Sequence, residues 1–279
     1  MRRGPLSLAG MIMVIAAGAL APALAGAQPD AALLGLAVVD SIGRDAHGDL
    51  VLNGIRHVSR TAAFPYTENL SVYTRWGGSG EHDIGISVWN MDTDETVCEE
   101  EETVRFSDGG ITSYAHTFIN AKFPRRGTYD VETTLDGDLA AEYSLFVDAD
   151  DSFPDTPELV LSVPARSGAL DLADAVSVSG IPEGFTFNGF PALTSFALVT
   201  LWFSGAAGHV QSMEILDPSG VPIATSRPRP IPADTGKIVP VTESFPHVAL
   251  PVRGTYTAVL YLDGEDVFEY PLPVRRAAR

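Results

Sequence analysis

The sequence predicts an all-β protein, built as two similar β-sandwich units in tandem behind a cleaved export signal. Three observations carry this reading. Residues 124–147 recur at 251–274, 127 positions later, with 12 identities in 24 positions. Each copy alternates apolar and polar residues with a period of two, the pattern of half-buried strands. Across 279 residues, 26 glycines and 20 prolines favour many turns over long helices.

The export signal comes first. Arg2 and Arg3 precede an apolar stretch from Leu6 to Leu24, and Ala23-Leu24-Ala25-Gly26-Ala27 supplies the small residues of a cleavage site. Cleavage after Ala27 makes residues 1–27 the signal peptide and leaves a mature chain of about twice 126 residues. Gly18 and Pro22 interrupt the apolar stretch, which argues against an uncleaved membrane anchor, and no stable membrane insertion is expected after cleavage. The expected location is periplasmic or secreted. The formal net charge is −18, and only Lys122 and Lys237 are lysines. Such an acidic chain is a poor match for nucleic acid, whose binding requires a positive surface to displace counterions.

The two units span residues 31–148 and 158–275, joined by a linker at 149–157. Phe64-Pro65 corresponds to Phe190-Pro191, and Leu70, Val72, Thr74 and Trp76 to Phe196, Leu198, Thr200 and Trp202. The alternation places both tryptophans on the apolar face, which predicts core packing rather than ligand stacking. Ile84, Ile86 and Val88 predict a further strand, with Val210, Met213 and Ile215 as less regular counterparts. Gly77-Gly78-Ser79-Gly80 reads as a turn. Residues 169–178 read as a strand rather than a short helix. Asp136-Gly137 and Asp263-Gly264 provide the positive φ angles of two-residue hairpin turns.

Just before each of these hairpins stands a Gly-x-Tyr sequence, Gly127-x-Tyr129 and Gly254-x-Tyr256. This resembles the tyrosine corner of immunoglobulin-like sandwiches, in which the phenol bonds upstream backbone. Val131 and Ala258 occupy the inward positions where an antibody domain carries cysteine. The fold expected is therefore two tandem immunoglobulin-like sandwiches, with a jelly roll or partial barrel as the alternative. Together with Leu36-Ala-Val-Val-Asp40, Gly48-x-Leu50-x-Leu52-x-Gly54-Ile55, Tyr73-x-Arg75 and Gly80-Glu81-His82, the first unit resembles a family of small, uncharacterised bacterial β-sandwich proteins. That resemblance implies a fold and carries no activity.

Signatures of chemistry are sparse. Zinc-protease, serine-hydrolase and phosphate-loop spacings are absent, so no catalytic or cofactor-binding residue is assigned and no cofactor is expected. His82 and His209 recur at equivalent places, which predicts a shared hydrogen bond at a strand start. Cys98, the single cysteine, forms no internal bridge; the carboxylates around it are expected to raise its thiol pKa by repulsion. The acidic run 92–102 reads as a solvated loop. At the joint, Asp148, Asp150, Asp151 and Asp155 are weak calcium candidates, set against the Pro154 and Pro157 of an ordinary stiffened linker. The function expected is a non-enzymatic exported module that binds a protein or cell-envelope partner. A carbohydrate-active hydrolase and a calcium or small-molecule binder are the alternatives.

Overall fold

The computed structural model describes residues 31–148, 156–166, 169–172, 175–203, 205–233 and 236–277, in which every regular element is a strand. The expected export signal and most of the expected joint, including Asp150, Asp151 and Asp155, lie outside these residues. The first half contains β1 (Ala31–Val39), β2 (Ser41–Arg44), β3 (Leu50–Ile55), β4 (Val58–Ser59), β5 (Tyr66–Asn90), β6 (Glu95–Phe123), β7 (Gly127–Leu135) and β8 (Asp138–Val147). The second half contains β9 (Glu158–Ala165), β10 (Ala169–Leu172), β11 (Ala175–Ile181), β12 (Phe185–Phe187), β13 (Ala192–Phe203), β14 (His209–Leu216), β15 (Pro222–Thr225), β16 (Arg229–Ile231), β17 (Ile238–Leu250), β18 (Gly254–Leu262) and β19 (Glu265–Arg276).

Long strands shared between layers organise the first half. The start of β5 pairs with β1 and with the end of β6, whereas its later part pairs with β7 and with the start of β6. The change occurs at a register slip between Gly78 and Gly80, whose φ angles of 153° and 101° favour glycine. Gly77–Gly80 is thus a bulge within a continuous strand and not a turn, and Ile84–Val88 belongs to that same strand. In the second half the path is divided. There β13 pairs with β9 and β17, while β14 pairs with β18, β15 and β16. In both halves a short strand runs parallel to the last one, β4 on β8 and β12 on β19. The Phe64–Pro65 and Phe190–Pro191 peptides are both cis.

A feature with no counterpart in the sequence reading joins the halves. The hairpins β2–β3 and β10–β11 form one four-stranded sheet, because β3 pairs antiparallel with β11. Leu52 lies opposite its own repeat equivalent, Val178, and the pairs Ile55↔Val176 and Leu50↔Ile181 exchange when the two halves are exchanged. That register is the signature of a twofold axis between the halves, the self-complementary geometry of a symmetric dimer. Gly54 and Gly180 occupy equivalent places beside it at φ 65° and 69°. A Cβ on Gly54 would fall 2.0 Å from Asp40 Oδ2, so this position admits only glycine. All six of the paired apolar side chains just named are buried, and the buried cores of both halves merge into one continuous cluster.

Within that core Trp76 and Trp202 are buried, as the alternation predicts. Trp76 Nε1 donates to Thr74 Oγ1 at 2.9 Å, and Trp202 Nε1 donates to Gln211 Oε1 at 2.6 Å. Gln211, and not the exposed Val210, is the inward counterpart of Ile84; it also accepts from Thr200 Oγ1 at 2.7 Å. The hydroxyls of Tyr129 and Tyr256 donate to the carbonyls of Arg125 and Val252 at 2.7 and 2.8 Å, each bridging four residues back. Since a buried hydrogen bond contributes about 1 kcal/mol net, Tyr129→Phe and Tyr256→Phe should each lower unfolding stability by about that amount in urea titrations, without altering the far-ultraviolet spectrum.

Candidate functional site

The junction of the two halves has two unlike sides. On one, Arg75 is fully buried and has no carboxylate partner among the described residues. Its Nε donates to Tyr270 Oη at 2.5 Å and its Nη2 to the Pro182 carbonyl at 2.5 Å, both across the junction, while Nη1 reaches Tyr73 Oη and Ser113 Oγ at 3.3 and 3.2 Å. The guanidinium carbon also sits 5.9 Å from the centroid of the Tyr270 ring. The equivalent of Arg75 in the second half is Leu201, so nothing like this plug exists on the other side.

There, instead, a cleft of about 670 Å³ opens between the halves. Residues 54–60 of the β3–β4 connection, Asp40 and Tyr66 form the first wall; Val176, Phe203, Pro232 and residues 236–240 form the second. Glu68 fixes Arg56 from behind. Its Oε2 lies 2.7 Å from Arg56 Nη2 and accepts from Tyr66 Oη at 3.1 Å, and its Oε1 accepts from Ser59 Oγ at 3.2 Å. Arg56 Nε is nevertheless buried without a hydrogen-bond acceptor, the nearest carboxylate oxygen being Asp40 Oδ1 at 3.6 Å. His57 is 1% exposed and held among the rings of Phe203, Tyr143 and Phe146, with centroids 4.1, 4.6 and 5.4 Å away. Both its ring nitrogens lack hydrogen-bond partners, and Glu158 Oε2 stands 3.6 Å from Nε2. Buried polar groups are seldom left in this state. Arg60 and Lys237 add two exposed cations to the lining.

No sequence signal pointed to this cleft. Asp40, Gly54 and Ile55, which the first unit's motifs contain, line it, while the histidines, the cysteine and the acidic run that sequence singled out lie elsewhere and are mostly structural. His82 Nδ1 lies 2.8 Å from Asp136 Oδ2 and His209 Nδ1 lies 2.6 Å from Asp263 Oδ2, and the other oxygen of each carboxylate accepts a backbone N–H at 2.9 Å. These are the shared hydrogen bonds that the repeat predicts, at a strand start for His209 but within the continuous β5, just past its bulge, for His82. They hold Asp136 and Asp263, at the positive φ angles of the hairpin turns, below the usual carboxylate pKa. Two readings need correction. The acidic run is not a loop: after a turn through Met91–Asp94 it continues as β6, where Glu99–Glu102 charge a strand that pairs on one side only with β5. The Cys98 thiol is pushed up to about 12 by burial rather than by its acidic neighbours, because it lies opposite Val88, partly buried within the sheet.

Of the calcium candidates only Asp148 is described. It sits at φ 45°, with its backbone N–H donating to the Ser59 carbonyl at 2.9 Å. Among the described residues no group of three or more potential metal ligands comes together. Carboxylates do gather beside the junction, however. Asp130 is buried on β7, and burial, followed by the charges of Glu142, Glu132 and Glu158, pushes its pKa up to about 6; Ser144 Oγ, donating at 3.3 Å, opposes this.

A family described as "Family of unknown function (DUF6941)" matches residues 35–148, from within β1 to the residue after β8. This agrees with the resemblance of the first unit to an uncharacterised family. No curated protein matches the chain.

The raised pKa of Asp130 has a definite sign. The folded state holds this proton to higher pH than the unfolded chain, so stability is greatest below the unfolded pKa of about 3.9 and falls as pH rises through about 6. Asp130→Asn should therefore raise the melting temperature at pH 8, leave it nearly unchanged at pH 4, and flatten the profile between them.

Proposed function

We propose that this chain is an exported, non-enzymatic binding protein made of two immunoglobulin-like sandwiches, and that the cleft at their junction takes a small ligand from the cell envelope or its surroundings. The immunoglobulin-like reading is supported by strand order. The layer β1, early β5 and late β6 corresponds to strands A, B and E, and the layer β8, β7, late β5 and early β6 to G, F, C and C′. Tyr129, at the start of the strand in the F position, makes the tyrosine-corner bond. Export and a periplasmic or secreted location rest on the features of residues 1–27.

One observation carries the binding role: the cleft at the junction is lined by Arg56 and His57, whose buried Nε and ring nitrogens, respectively, find no hydrogen-bond partner among the described residues. A site of a few convergent polar groups among apolar walls is what small-molecule recognition uses. The hydrolase alternative is less favoured, since the described lining holds a single carboxylate, Asp40, where glycoside hydrolysis uses two. Filling the cleft tests the reading. In ligand-observed NMR with a fragment library, Ile238→Trp should abolish most hits of the native protein while keeping its melting temperature within a few degrees. Hits that survive this substitution would contradict the assignment.

A further inference from the structure

The cleft also specifies the chemistry of its occupant. Resting on the reading that it is a ligand site, we infer that the ligand presents an oxyanion, a carboxylate, sulfate or phosphate group, to Arg56, His57, Arg60 and Lys237, with an apolar portion along Ile238–Pro240. Arg56 Nε can only donate, and a histidine ring always carries at least one N–H. Among the described residues neither Arg56 Nε nor the His57 ring has an acceptor within hydrogen-bond distance, although Arg56 Nη2 meets Glu68. What would complete them is acceptor oxygen.

Charge points the same way. In a chain of net charge −18 with two lysines, one of them, Lys237, joins Arg60 as an exposed cation in the lining, beside Arg56, which Glu68 pairs from behind. Two exposed cations at the cleft are a pattern suited to attracting and orienting an anion. A cationic ligand would leave the orphaned donors unmatched. The opposite side of the junction shows what the donors do when the protein completes them: Arg75 there meets the Pro182 carbonyl and the Tyr270 hydroxyl, and no comparable donor is left over. Pro182 and Glu183 stand at the positions equivalent to Arg56 and His57, so the donor pair belongs to one side only and was not inherited as a repeated structural bond.

Two dyes of similar aromatic frame separate charge from apolar binding: 8-anilinonaphthalene-1-sulfonate, an anion, and N-phenyl-1-naphthylamine, its uncharged relative. Fluorescence titration of the full mature chain should show one saturable sulfonate site, at least tenfold tighter than that of the neutral dye and weakened by salt. The pair Arg60→Gln and Lys237→Gln should weaken sulfonate binding at least tenfold. His57→Phe, which keeps an aromatic ring against Phe203, should weaken it severalfold and leave the neutral dye unaffected; melting curves identify any variant that has lost its fold. Equal affinity for the two dyes, or a double variant that binds the sulfonate as the native chain does, would overturn the oxyanion inference while leaving a ligand cleft in place. Absence of saturable binding by either dye would overturn both.

Discussion

The antiparallel pairing of β3 with β11 is the constraint on which the rest depends. Strand edges are reactive, and a unit whose β1–β5 connection ends in an unpaired β-hairpin must cover it or risk association with another chain. Here each half covers the other. Because Leu52 opposes its own equivalent Val178, the junction has the geometry of a symmetric dimer in which both subunits belong to one polypeptide. Covalent connection replaces the encounter of two chains by a local one, so the interface forms at an effective concentration that does not depend on how dilute the protein is.

Duplication followed by divergence then explains why the two sides of the axis differ. On one side Arg75 crosses the junction to a carbonyl and a phenol of the second half and closes it. On the other, Leu201 replaces that arginine, Phe203 stands where the first half has Gly77, and His57 packs on the phenylalanine. The symmetric frame positions both sides, while the substitutions leave one of them open and lined with donors. A strictly symmetric dimer cannot make this distinction, since every change would appear twice.

Much of the architecture was legible in residue pattern. The alternation through Leu70–Trp76 and its repeat, the Asp-Gly turns and the Gly-x-Tyr sequences are local signals, and each determines a local geometry that the fold retains. What failed was whatever depended on a partner remote in sequence. Leu50, Leu52 and Ile55 announce a strand but not that its neighbour is Val176–Ile181, because the same apolar face would serve against any partner. Gln211 was passed over because a search for alternating apolar residues skips a buried amide whose oxygen serves Trp202 and Thr200. The cleft was least legible of all: Arg56 and His57 are ordinary residues in sequence, without a motif, and become notable only when the second half buries them without acceptors. The repeat signal that found His82 and His209 works against such a site, since it rewards what both copies share.

If the β3–β11 pairing governs the fold, the two halves form one cooperative body. Differential scanning calorimetry of the chain tests this most directly, because a two-state transition gives equal calorimetric and van't Hoff enthalpies. A shared sheet and a continuous core predict a single transition with a ratio near one, and a substitution in β11 such as Val178→Ala should shift the whole transition. Two resolved transitions, or a single peak with a ratio near two, would show the halves to unfold independently and would contradict the central place given to the β3–β11 pairing.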